Sequence, residues 1–127
     1  MSPLLRPLIG LLVVTGIVSV QAQNLNVPTP SAGLMPNATQ GKRLFEKNCA
    51  ACHGQNLRGT EQGPPLLDRI YEPSHHGDAS FQMAVRYGAR AHHWRFGDMK
   101  PVPGVSADEV AHITAYVRQQ QRAVGIN

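Results

Sequence analysis

Cys49-Ala50-Ala51-Cys52-His53 decides how the rest of the chain is read. Two thiols three positions apart, followed at once by an imidazole, form the pattern of covalent haem attachment. On a helix, positions i and i+3 share a face, so both sulfurs reach one side of a porphyrin. His53 then points its ring at the iron, and two thioether tethers hold that ring at high effective concentration near the metal. Other uses of Cys-x-x-Cys need a different setting. A thioredoxin-type pair sits in a βαβ unit, and a zinc site needs two further ligands at metal spacing. The chain has only these two cysteines, and no strand alternation flanks them.

Working outward to the N-terminus, Arg6 precedes an uncharged run from Leu8 to Val20, and Val20-Gln21-Ala22 offers small residues for a signal peptidase. The run falls short of the about 20 apolar residues of a membrane span, so residues 1–22 are expected to be a cleaved signal peptide. An uncleaved N-terminal anchor is the alternative, and only that form would involve a membrane. Export suits haem attachment, which places the protein in the periplasm. Residues 23–36, with Pro28, Pro30, Ser31, Gly33 and Pro36, read as an extended linker. One domain then occupies residues 37–127, small enough that a porphyrin would supply much of its core. The formal net charge is +4 with scattered basic residues, and no nucleic-acid motif appears, so no nucleic acid is expected as a partner.

Within the domain, Asn37-Ala38-Thr39-Gln40 suggests a capping box. Gly41, Leu44, Phe45, Asn48, Cys49 and Cys52 then share one helical face, on a helix expected to end at Gly54. Residues 54–68 form a Gly/Pro-rich loop around Gly63-Pro64-Pro65-Leu66. A helix is predicted over 78–87, capped by Asp78 and stopped by Gly88. A second loop over 88–105 carries His92, His93, Trp94 and Met99. Ser106-Ala107-Asp108-Glu109 opens a last helix whose Val110, Ile113, Tyr116 and Val117 form an apolar stripe.

Over residues 37–122 the chain resembles a small monohaem cytochrome c of the His/Met-ligated, bacterial periplasmic kind. The resemblance rests on Gly41 and Phe45 before Cys49-Ala50-Ala51-Cys52-His53-Gly54, on the Gly63-Pro64-Pro65-Leu66 turn, on a late-loop Met, and on Ile113, Tyr116 and Val117 in the final helix. It implies an all-α cytochrome c fold, with three to four helices wrapped around one covalently bound haem c and long Gly/Pro-rich loops between them. The first and last helices would cross, with Gly41 allowing close approach and Phe45 near Tyr116. Cys49 and Cys52 would attach the haem, and His53 and Met99 would bind the iron. The Pro64 carbonyl would accept the free His53 ring N–H, although Pro64 also reads simply as a turn residue. Trp94 either covers a haem edge and donates to a propionate or fills the core.

A thioether is a soft, neutral donor that favours ferrous iron, and with both axial positions filled the iron exchanges electrons only. The expected function is therefore electron transfer, not enzyme catalysis. Partners would be a dehydrogenase, reductase or oxidase, met by a free monomeric carrier or by a dedicated subunit of such a complex. A haem enzyme or sensor would need a displaceable sixth ligand. Lys100 stands where the family often has Pro, a departure that would either loosen the ligand loop or let Lys100 compete for iron as a free amine at high pH. His92-His93 and His75-His76 are rival ligands for iron or for a second metal such as copper, but adjacent loop histidines usually lie apart at the surface. Met35 reads as a linker residue, Met83 as a packing or an exposed residue on its helix, and His112 as solvent-exposed.

Overall fold

The computed structural model describes residues 26–127, so the leader expected over residues 1–22 lies outside the described residues. The chain is all-helical: α1 spans Ala38–Asn48, α2 Ala50–His53, α3 Asp78–Tyr87 and α4 Ala107–Ala123, with a 3-10 turn at Arg69–Tyr71. No helix among the described residues is long and apolar enough to cross a membrane.

The crossing of α1 and α4 forms the centre of the fold. Phe45 and Val117 are fully buried, and Phe45 meets Tyr116 with ring centroids 5.7 Å apart at 56°. Such tilted pairs add to what area burial alone supplies. Gly41 makes the approach possible, because a Cβ there would collide with the His112 carbonyl and come within 3.0 Å of the Tyr116 Cβ. Leu57, Leu66, Ala50 and Ile113 complete this cluster.

His112 is buried rather than solvent-exposed, which corrects the sequence expectation. Its Nδ1 accepts the Asn37 backbone N–H at 2.9 Å, so the ring is the Nε2–H tautomer. The capping box expected at Asn37 is thereby only half made. The Asn37 side chain accepts from Gln40 N–H at 2.9 Å, while the N-cap's own N–H goes to α4 instead of to Gln40. The head of α1 is thus fastened to α4 by a hydrogen bond as well as by packing.

The capping box of α4 is complete: Ser106 Oγ accepts from Glu109 N–H, and Glu109 Oε2 accepts from Ser106 N–H at 2.8 Å. Part of the expected linker is also fixed here. Asp108 accepts Ser31 N–H at 2.6 Å and the Ser31 hydroxyl at 2.8 Å, and the Tyr87 hydroxyl donates to the Asn26 carbonyl at 3.1 Å.

α3 has the expected bounds, but its N-cap is Gly77, and Asp78 is the first helical residue. Asp78 is directed instead to Arg118 Nε at 2.9 Å. Arg118 is buried and also donates to the carbonyls of Tyr71 and His76 and to Gln121 Oε1. Gln121 Nε2 in turn reaches the carbonyls of Leu66 and Tyr71 at 2.9 and 3.0 Å. Buried polar groups are tolerable when each finds a partner, and here they pin residues 66–78 onto α4.

Candidate functional site

The single helix expected through residue 53 is interrupted at Cys49, whose φ of −126° and ψ of −31° separate α1 from the one-turn α2. Hydrogen bonding bridges the break, since Cys49 N–H donates to Phe45 at 2.8 Å and His53 N–H to the Cys49 carbonyl at 3.0 Å. Cys49 is half-buried, Cys52 is exposed, and both are free thiols. Burial, and then the neighbouring Cys52, push the Cys49 thiol up to about 11. A redox dithiol works through a lowered thiol pKa. Cys49 departs from that pattern.

Loop 54–68 is folded back over this turn. Gly54 stops α2 at φ 77°, where a side chain would be strained and a Cβ would meet the Gly59 carbonyl at 2.8 Å. Gly59 N–H donates to the His53 carbonyl at 2.8 Å, and the Thr60 hydroxyl donates to the Cys52 carbonyl at 2.6 Å. Gly63 packs on Cys52 so closely that a Cβ would lie 2.9 Å from the Cys52 carbonyl. The loop is anchored from inside by Leu57, buried with φ 60°, whose carbonyl accepts from Leu66 and Leu67.

This clasp places the Pro64 carbonyl 2.9 Å from His53 Nδ1. A carbonyl can only accept, so Nδ1 carries the proton and Nε2 is left as a bare donor atom. Burial lowers the His53 pKa and so favours the neutral ring, an effect the Pro64 hydrogen bond only partly offsets. A neutral imidazole with its far nitrogen fixed by a backbone oxygen is the arrangement that orients metal-binding histidines.

The second loop begins at Gly88, φ 81°, where a Cβ would meet the Met99 carbonyl at 2.5 Å. Ala89 and Met99 exchange backbone hydrogen bonds of 3.0 and 2.8 Å, and Asp98 accepts from Ala91 N–H at 2.9 Å. Met99 thus sits at the base of a closed loop, half-buried, whereas Met35 is 86% exposed and lies outside the helical domain. Lys100 is exposed. Trp94 Nε1 is buried without a partner among the described residues. The Tyr71 hydroxyl, raised chiefly by burial, feels this indole but stands outside hydrogen-bond geometry with it.

The donor set fits a covalently attached haem. Two free thiols flank one turn, a neutral imidazole has its Nε2 freed, and an orphaned buried indole N–H needs an acceptor that the chain does not supply. The four loop histidines are largely exposed as expected, but the pairs do not lie apart. His75 Nε2 and His93 Nε2 are 3.1 Å apart, and the His92 and His93 rings are 4.2 Å apart. Sequence reading missed this convergence, and it also missed the buried Gln82, Arg118 and Gln121.

A profile of the cytochrome c family matches residues 38–121, which takes in both loops and all four helices up to the last turns of α4. The cbb3-type cytochrome c oxidase subunit CcoP of Rhodobacter capsulatus is 32% identical over 85 residues. Those residues are 63% of this chain and 28% of that protein, so the chain spans under a third of the relative's length.

Proposed function

The chain belongs to the cytochrome c family and carries covalent haem c, and from that premise we propose that it is a periplasmic one-electron carrier ligated by His53 and Met99. The observation that carries this reading is the His53 Nδ1–Pro64 carbonyl hydrogen bond at 2.9 Å, beside two free cysteines in a family-matching segment. When bound, haem c supplies a one-electron Fe(III)/Fe(II) couple.

The protein's part is to hold that couple still. Cys49 and Cys52 tether it on the α2 side, and the loop clasp keeps them in place. His53 presents Nε2, and Pro64 keeps the ring from rotating. Met99 offers a soft thioether from the closed base of the 88–105 loop, raising the potential relative to a second imidazole. The Trp94 indole N–H would be available to a haem propionate. With His53 and Met99 both holding the iron, no position would be left for a substrate, and the role would be transfer rather than catalysis. The leader at residues 1–22 exports the chain, and redox proteins on the periplasmic side serve as donor and acceptor.

A second reading, a dedicated electron-transfer subunit of an oxidase or dehydrogenase complex, is favoured by the likeness to CcoP, itself named as an oxidase subunit. Both readings share the same iron ligands. Met99→Ala tests them: loss of the low-spin His/Met spectrum in the ferric protein and fast, stoichiometric carbon monoxide binding after reduction are expected in the variant alone. An unchanged ferric spectrum in the variant, or stoichiometric carbon monoxide binding by the unaltered protein, refutes the ligand assignment and favours a haem enzyme or sensor.

A further inference from the structure

Four of the chain's histidines meet on one side of the 88–105 loop, away from the attachment turn in sequence and unused by electron transfer. His75 and His76 come from the turn that precedes α3, and His92 and His93 from the loop that carries Met99. One ligand atom each from His75, His76 and His93 falls within 4.8 Å of the others, and His75 Nε2 already lies 3.1 Å from His93 Nε2. We propose that His75, His76 and His93 form a second metal site, for a borderline divalent transition ion such as Zn(II) or Cu(II), with a fourth position left to water.

The hydrogen bonding around the cluster prepares it for this. His76 Nδ1 lies 2.6 Å from the Ile70 carbonyl, so it carries the proton and Nε2 is free to coordinate. The same carbonyl-to-imidazole arrangement fixes the ring as in known metal sites. Between His75 and His93, one Nε2–H is shared at present. On metal binding that ring takes its Nδ1–H tautomer, so no proton is released and both nitrogens face the ion. Crowding favours a neutral His93 ring: its pKa is lowered, first by partial loss of water and then by repulsion from His92, His75 and His76. Tetrahedral coordination with bonds of about 2.0 Å needs nitrogens roughly 3.3 Å apart, a contraction that exposed side chains supply by small rotations.

The donor type selects the metal class. Three neutral imidazoles without carboxylate or thiolate suit zinc, copper and nickel rather than magnesium or calcium, and copper(II) binds such a set more tightly than zinc. An ion held here would cross-link residues 75–76 to residue 93, and so brace the loop that carries Trp94 and Met99. His92 stacks on His76 with centroids 5.6 Å apart, but it lies outside the convergent trio.

The test is calorimetric titration of the untagged, haem-loaded, metal-stripped protein with Zn(II), with Cu(II) electron paramagnetic resonance to count bound nitrogens. One saturable equivalent is expected, with three imidazole nitrogens on copper and an unchanged haem spectrum. His75→Gln and His93→Gln should each weaken binding on the order of 100-fold, the upper end of what loss of even a supporting partner costs, while His92→Gln stays within about two-fold. The haem spectrum of each variant reports whether it has folded, and an unchanged spectrum in His93→Gln shows that His93 is not on the iron, which separates failure of the metal site from failure of the Met99 assignment. Absence of a saturable equivalent, wild-type affinity in both the His75 and His93 variants, or fewer than three imidazole nitrogens overturns the site.

Discussion

The two sides of this small domain are built on different terms. At the α1/α4 crossing, Phe45, Ile113, Tyr116 and Val117 satisfy one another, and even the polar groups that enter, His112, Arg118 and Gln121, find protein partners. Across the 88–105 loop, Trp94 Nε1 is buried with no partner, Met99 is half-buried, and four imidazoles crowd together at the surface. The first region is complete as protein. The second is shaped by what it holds, and its side chains are placed for ligation before they are placed for packing.

Substitutions at the crossing should therefore cost stability and leave the iron's spectrum alone. Phe45→Ala removes a fully buried ring and is expected to cost about 3–5 kcal/mol, read from denaturant unfolding of the haem-loaded protein. Gly41→Val drives a side chain into the His112 carbonyl and should cost about 3 kcal/mol by forcing α1 off α4. A near-neutral result at Gly41 would mean that the helices do not cross at this distance. On the other side, Trp94→Phe keeps most of the ring and removes an N–H that no protein group accepts. It should cost under about 1 kcal/mol and shift the reduction potential. The reverse pattern, large destabilisation with an unmoved potential, would make Trp94 an ordinary core residue.

The smallest expected effect lies at the head of α4. Hydrogen bonds from the Ser31 backbone and hydroxyl hold the Asp108 carboxyl below its usual range, and those from Ser106 do the same for Glu109. A depressed carboxyl pKa contributes stability that is complete above the ordinary carboxylate range and is lost as pH falls through the folded-state value. Thermal midpoints of the Asp108→Asn, Glu109→Gln variant should start slightly lower at neutral pH and decline less on acidification. An acid limb as steep as the parent's would place the sensitivity elsewhere.

How much of this was legible in the sequence follows the same division. The bounds of α3 and the Ser106–Glu109 box came from local spacing, because periodic packing writes itself into periodic residues, whereas the Gly41 approach and the Phe45–Tyr116 contact came from the family resemblance. The break at Cys49 did not, since a one-residue interruption leaves the i, i+3 pattern intact. Arg118 and Gln121 fall on the same stripe as Val110, Thr114 and Val117, at helical spacing, and that periodicity was a usable signal for their burial. Their polarity hid it, because the carbonyls that satisfy them belong to residues 66–76. His112 was misread for the same reason, its partner being the Asn37 N–H 75 positions away. The attachment turn was visible as a motif, and the Pro64 contact was implied by the family resemblance, with a plain turn residue as the alternative. The meeting of His75 and His76 with His93 was not, because irregular loops carry no period that tells which residues come together.

The central claim is that this cytochrome c holds its haem between His53 and Met99 and only passes electrons. An optical redox titration of the purified protein tests it most directly, since ligand set and potential are read together. The account predicts one reversible one-electron transition, with a low-spin His/Met spectrum in the ferric state and no ligand change on reduction. A low-potential transition with a two-imidazole spectrum, or a high-spin reduced form with an open iron position, would contradict it.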